Sequence, residues 1–197
     1  LLPVIDTSAS MISNNVREDA FGLGIFISER NPGDFKHIYS IFSASVNISS
    51  FEPNSKLSDK LAKLYTHNAQ NTNLKGLFEY ILKTYKVNNL KPEQLPDGLV
   101  ILSDMQFDEG VSSRQTLYQE IKSLYDAEGV KLPKIVWWNL AADENVIQNN
   151  KDDKGVIMVG GKSFQTLKAV MTGQDITPYT NMIKVLDSLE DIITKID

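Results

Sequence analysis

The chain contains no cysteine. That excludes a disulfide framework and any thiolate metal site. Imidazole is scarce as well. The only two histidines, His37 and His67, lack a metal-ligand or triad setting, and both read as structural or exposed. Any metal must therefore be held by oxygen. There is no Lys/Arg block and no basic stripe. Twenty basic residues stand against 25 acidic ones, giving a net charge of -5, so this segment lacks the electrostatic footprint of a nucleic-acid binder. No apolar run approaches the roughly 20 residues of a bilayer span, and no signal peptide is recognisable. These absences lead us to expect an intracellular, cytoplasmic location without membrane contact. Gly160-Gly161 precedes a helix, but no Gly-Lys-Ser/Thr follows, so a tight turn is expected there rather than a phosphate cradle.

What is present fits one globular domain. At 197 residues with 42% hydrophobic content, the chain can bury a core of ordinary size. We read residues 1–197 as a single domain. It opens inside a core strand without Met, which leads us to expect a piece of the C-terminal part of a longer protein. Asn47-Ile48-Ser49 matches a glycosylation sequon and is taken as a chance match.

Strands and helices alternate. Leu1 to Ile5 is an apolar strand. Ser13 to Arg30 reads as a helix with Ser13 as its N-cap, because Val16, Ala20, Leu23, Gly24 and Ile27 recur at helical spacing. Two β-rich runs, His37–Ser43 and Val46–Phe51, are joined by Ala44-Ser45 and predict an antiparallel hairpin. Helices follow at Leu57–Tyr65 and Leu74–Tyr85. Leu99–Leu102 is a short apolar run typical of a central parallel strand. Next come a helix from Gln115 to Ala127 closed by Gly129, a strand from Ile135 to Leu140, a polar loop from Asp143 to Lys154 and a strand from Gly155 to Val159. Helices at Ser163–Met171 and Pro178–Ile196 end the chain. The pattern predicts an α/β domain: a doubly wound, mostly parallel six-stranded sheet with one antiparallel edge strand and helices on both faces.

The chemistry gathers at strand ends. Asp6-Thr7-Ser8-Ala9-Ser10 places a carboxylate and two hydroxyls on alternate positions behind the first strand. Leu99–Leu102 is followed by Ser103-Asp104. Thr72 precedes a helix between them. In a doubly wound sheet, loops at the strand-order reversal face each other, so these groups can converge. They are hard oxygen donors of the kind Mg²⁺ prefers, with Mn²⁺ or Ca²⁺ as alternatives. Neutral hydroxyls leave such an ion short of negative charge and open to an outside carboxylate.

Asp6-x-Ser8-x-Ser10, Thr72 and Asp104 resemble the metal-ion-dependent adhesion site of von Willebrand factor A domains, and the order of elements matches along the chain. More closely, Ile101–Asp108, Asn71-Thr72-Asn73, Ile135–Leu140 and the Gly155-Val156 strand resemble a domain-of-unknown-function family of eukaryotes and giant viruses. The segment is also similar to the A-type domain of Ro ribonucleoproteins. The resemblance implies a vWA, Rossmann-like fold. It also implies direct metal contacts from Ser8 and Ser10, a direct or water-mediated one from Thr72, and mainly water-mediated ones from Asp6 and Asp104. The Gly-rich approach to the threonine is replaced here by Ala69-Gln70-Asn71.

Each residue has a blander role to set against this. Asp6 can cap the following helix, and Thr72 alone is more often an N-cap than a ligand. Asp104 at a buried strand end is costly unless paired or metal-bound. Asp108, Asp143 and Glu144 read as solvated loop carboxylates. Trp137 and Trp138 should pack on opposite sheet faces, and Asn139 can orient the neighbouring loop.

The leading expectation is a non-enzymatic module in which the metal bridges to an Asp or Glu of a protein partner. Two alternatives stand beside it. One is a scaffold domain of an RNA-binding protein, with RNA contacted elsewhere. The other is a Mg²⁺-dependent phosphatase-like enzyme with Asp6 as nucleophile, although such enzymes carry a second Asp where this chain has Ser8.

Overall fold

A computed structural model of the chain describes residues 1–41, 47–67, 74–105, 114–142, 147–149, 156–162 and 164–172. The strands are β1 (Leu2–Ile5), β2 (Ile38–Ile41), β3 (Asn47–Ser50), β4 (Gly98–Ser103), β5 (Lys134–Asn139), β6 (Ile147–Asn149) and β7 (Val156–Gly160). The helices are α1 (Ala9–Ser13), α2 (Arg17–Arg30), α3 (Leu57–Tyr65), α4 (Leu74–Val87), α5 (Arg114–Ala127) and α6 (Phe164–Met171). The connection between β2 and β3, the residues before Leu74, and the stretch read as a helix from Pro178 to Ile196 lie outside the described residues.

The strands form one sheet in the order β3-β2-β1-β4-β5-β7-β6. β1, β2, β4, β5 and β7 run parallel, and β3 pairs antiparallel with β2. These are the six strands expected from the sequence, with their antiparallel edge. A seventh, β6, adds to the opposite edge, antiparallel to β7. It corrects part of the Asp143–Lys154 stretch read as loop. Three residues are too few to show alternation in the sequence, and pairing with β7 supplies the order.

The parallel arrangement buries both faces of the central strands. Along β4, Val100 and Leu102 join α2 and α6 residues such as Phe21, Ile25, Leu167 and Val170 in one cluster. Leu99 and Ile101 join Leu77, Phe78, Ile121 and Tyr125 of α4 and α5 in the other. Trp138 belongs to the first cluster and Trp137 to the second, as their alternation predicts. The Trp138 indole N–H also donates to the Gly161 carbonyl across 2.7 Å. Gly161 adopts φ +78°, the turn expected at the glycine pair.

The helix read as starting at Ser13 starts at Arg17, and a separate short helix, α1, precedes it. Ser13 ends α1, and the N-cap of α2 is Val16. The break is a Schellman closure. The Val16 N–H donates to the Met11 carbonyl and the Asn15 N–H to the Ile12 carbonyl, while Asn15 takes the left-handed φ of 53°. Asparagine tolerates that conformation better than most side chains. Met11 and Val16 are both buried in the same cluster, the apolar contact that accompanies this motif. Helix α5 closes in the same way at Gly129, with Val130 bonded to Tyr125 and φ +65° at the glycine.

Helix α2 lies close against β1. A Cβ on Gly24 would stand 2.4 Å from Ile5 Cδ1. That close approach fixes the end of β1, from which the site residues emerge.

Candidate metal centre

β1 and β4 are neighbours, but the chain winds outward from them in opposite directions, to β2 on one side and β5 on the other. This is the strand-order reversal, and it is where Asp6 and Asp104 emerge. The register pairs Ile5 with Leu102, and the Asp6 N–H continues the ladder to the Leu102 carbonyl at 3.0 Å. One step further brings Asp6 beside Ser103. The Ser103 hydroxyl donates to Asp6 Oδ2 across 2.6 Å and accepts the Met105 N–H at 3.0 Å. Asp6 Oδ1 accepts the Ser8 N–H at 2.9 Å. Both oxygens of a carboxylate with no solvent exposure are thus engaged.

Burial nevertheless pushes the Asp6 carboxyl above its ordinary range. The bonds from Ser103 and Ser8 pull it back, and the nearby Asp104 charge pushes it up again. The Asp6 anion is therefore disfavoured at this edge, where Asp104 also emerges. A cation between them would reverse that balance.

The hydroxyls of Ser8 and Ser10 are hydrogen-bonded to each other. Ser8, in extended backbone before α1, and Ser10, within it, bring their Oγ atoms to 3.0 Å. Two oxygens bound side by side to one octahedral Mg²⁺ at about 2.1 Å would be about 3.0 Å apart. Both serines are half-buried, whereas Thr7 is buried and Ala9 exposed. The donor set therefore fits a hard divalent ion. It consists of two carboxylates and two hydroxyls. Among the described residues no group of three or more His, Asp or Glu could hold a metal ion, so carboxylates alone do not make this site.

Asp104 is 5% exposed and is bonded by the residue that caps the end of α1. The Asn14 amide donates to Asp104 Oδ2 at 2.9 Å, and the Asp104 N–H points to Met11 Sδ at 3.2 Å. Met105, directly after it, has φ 61°, an uncommon conformation for a bulky side chain.

Of the five residues read as metal donors, Asp6, Ser8, Ser10 and Asp104 are gathered at the β1–β4 edge. Thr72 lies outside the described residues, as do Asp108, Asp143 and Glu144. Sequence reasoning missed Asn14, Met11 and the pairing role of Ser103. Ser103 stood in plain view beside Asp104, and strand register alone would have shown it facing Asp6. Asn14 carried only the signal of an Asn-Asn pair, a turn-former within an apparent helix. Asn139 behaves as expected: its Oδ1 accepts the Ala141 N–H at 3.0 Å and shapes the following turn. His67 is half-buried; burial and the neighbouring Lys63 lower its pKa. The backbone at half-buried His37 is left-handed, with φ 66°.

Comparison with known proteins bears on the family and the fold. The model of the family described as a domain of unknown function, DUF7788, matches residues 1–193. An uncharacterised protein, L728, of Acanthamoeba polyphaga mimivirus is 25% identical over 186 residues, 93% of this chain and 32% of the viral protein. Among solved structures, the Ro (RSR) protein of Deinococcus radiodurans is similar over 87% of this chain and 34% of that one, with TM-score 0.55 and 15% identity. An aerotolerance-related membrane protein of Bacteroides fragilis aligns over 87% of this chain and 85% of its own at TM-score 0.46 and 14% identity. The chain spans about a third of the length of the mimivirus and Ro proteins. The fold is von Willebrand factor A-like. Among the described residues no helix is long and apolar enough to cross a membrane.

Proposed function

The chain belongs to this domain-of-unknown-function family, and from that premise we propose that it is a divalent-metal-dependent protein-binding module without enzymatic activity. Ser8 and Ser10 would hold Mg²⁺ directly, with Asp6, Asp104 and Thr72 completing its surroundings; Mn²⁺ or Ca²⁺ would serve as alternatives. The bound ion would supply a Lewis-acidic corner for an Asp or Glu carboxylate of a protein partner.

The observation that carries this reading is the serine hydroxyl pair, 3.0 Å apart, beside two buried carboxylates at the strand-order reversal. Each residue has a definite task. The serines offer neutral oxygens, which leave the ion's charge largely uncompensated. Asp6 and Asp104 supply negative potential from behind. Ser103 and the Ser8 N–H fix Asp6 in orientation. Because both Asp6 oxygens accept hydrogen bonds and the residue has no exposure, the geometry favours this task over that of a phosphoryl-accepting nucleophile.

Calorimetric titration with Mn²⁺ tests the proposal. Wild type should show saturable binding at one site, and Asp6→Ala should lose it. Equal, negligible heats in both would remove the metal from the account.

A further inference from the structure

β3 stands at one end of the sheet, with β2 as its strand neighbour. Their pairing is continuous from Ile38–Ser50 to Ile41–Asn47, without a bulge. One step further, the Phe51 N–H donates to the His37 carbonyl at 2.9 Å. Bonded and non-bonded pairs alternate along an antiparallel ladder. Phe51, Ser49 and Asn47 therefore turn their backbone groups toward β2, and Ile48 and Ser50 turn theirs outward. Among the described residues, the Ile48 N–H and C=O and the Ser50 N–H meet no partner.

Natural sheet edges are blunted by charge, proline or a bulge. Asn47-Ile48-Ser49-Ser50 carries none of these, and Ile48 is 37% exposed. The guard comes from outside the strand. Exposed Lys63, in the last turn of α3, donates through Nζ to the Ser50 carbonyl across 2.7 Å. Among the described residues no carboxylate pairs with this ammonium. A cation is thus held at an open edge by a neutral acceptor, and an incoming N–H can take its place there.

We propose that β3 is a strand-addition site for an extended segment of a protein partner that carries Asp or Glu beside Lys63. The main chain of the segment takes up the outward groups of Ile48 and Ser50. Lys63 exchanges the Ser50 carbonyl for a carboxylate, a stronger partner for an ammonium than a neutral oxygen. The site lies two strands from β1 and does not depend on the candidate metal centre.

Selection from a library of short random peptides against the intact chain, carried out in EDTA, tests this with metal removed. Enriched peptides should combine β-branched residues with Asp or Glu. Amide hydrogen exchange followed by NMR should show Ile48 and Ser50 slowed about tenfold by the bound peptide. N-methylation of alternate peptide residues should weaken binding about tenfold in one phase and leave it unchanged in the other, because every second residue faces the edge. Lys63→Glu should weaken binding about fivefold at low salt, and the difference should vanish at about 1 M salt. Ile48→Pro, which removes an outward N–H, should abolish binding; if that variant does not fold, the N-methylated peptides make the same test. Failure to enrich any peptide, peptides that protect other amides, or indifference to N-methylation would overturn the proposal. Protection of Ile48 and Ser50 that grows with protein concentration in the absence of peptide would overturn it in favour of a second copy of the chain.

Discussion

Ser103 and Asp6, 97 positions apart in the chain, meet through a buried hydrogen bond of 2.6 Å from the hydroxyl to Oδ2. The contact ties the ends of β1 and β4 together at the point where the candidate metal centre forms. Because it is made to a buried carboxylate, its loss has a measurable cost.

Ser103→Ala should destabilise the chain by about 1.5–3 kcal/mol, the usual worth of a hydrogen bond to a charged group. Urea unfolding in EDTA measures this. The loss should shrink when Mn²⁺ is present, because a cation offsets the unbalanced charge of Asp6.

Asp6→Asn should behave differently. Burial and the Asp104 charge both disfavour the Asp6 anion, which offsets the hydrogen bond lost when the amide leaves one accepting oxygen for the Ser8 N–H and the Ser103 hydroxyl, so stability in EDTA should fall less than in Ser103→Ala. Saturating Mn²⁺ should stabilise wild type by about 2.7 kcal/mol at a hundred times its dissociation constant and leave Asp6→Asn unmoved. Thermal melts with and without metal provide the comparison.

Gly24→Ala places a methyl 2.4 Å from Ile5 Cδ1 and 2.7 Å from Cγ1. Ile5 is fully buried and cannot swing aside into solvent. The overpacking, about 1–3 kcal/mol, should outweigh the roughly 1 kcal/mol that alanine gains over glycine within a helix. A net loss in denaturant midpoint is expected. Ile5→Val in the same background should recover part of it.

Lys60 of α3 donates to Glu29 of α2 at 2.7 Å, with the lysine side chain 6% and the glutamate 33% exposed. Glu29→Ala strands a buried ammonium and should cost about 1.5–3 kcal/mol. Lys60→Met keeps the apolar stem and leaves a carboxylate able to reach water, so it should cost less. Chemical denaturation of the two single variants tests this order.

The sheet was legible because its central strands are continuous apolar runs: Leu99–Leu102 could be placed without knowing its neighbours. Asp6, Ser8 and Ser10 stood out in the sequence as alternating oxygen donors behind such a run, and the structure keeps them together at the end of β1. Helix α1 was not legible. Val16 and Ala20 set up a helical spacing that hid the reversal at Asn15, and only the local capping bonds show why the chain turns there. Strand β6 is too short to leave a pattern. The Asn14–Asp104 bond depends on the juxtaposition of two distant loops, which no local spacing encodes.

The central claim is tested most directly by crystals soaked in Mn²⁺ and measured for anomalous scattering. The account places a single peak beside the Ser8 and Ser10 hydroxyls, between the loops that carry Asp6 and Asp104. Well-ordered loops with no anomalous density there, at a Mn²⁺ concentration that fills ordinary oxygen sites, would contradict it.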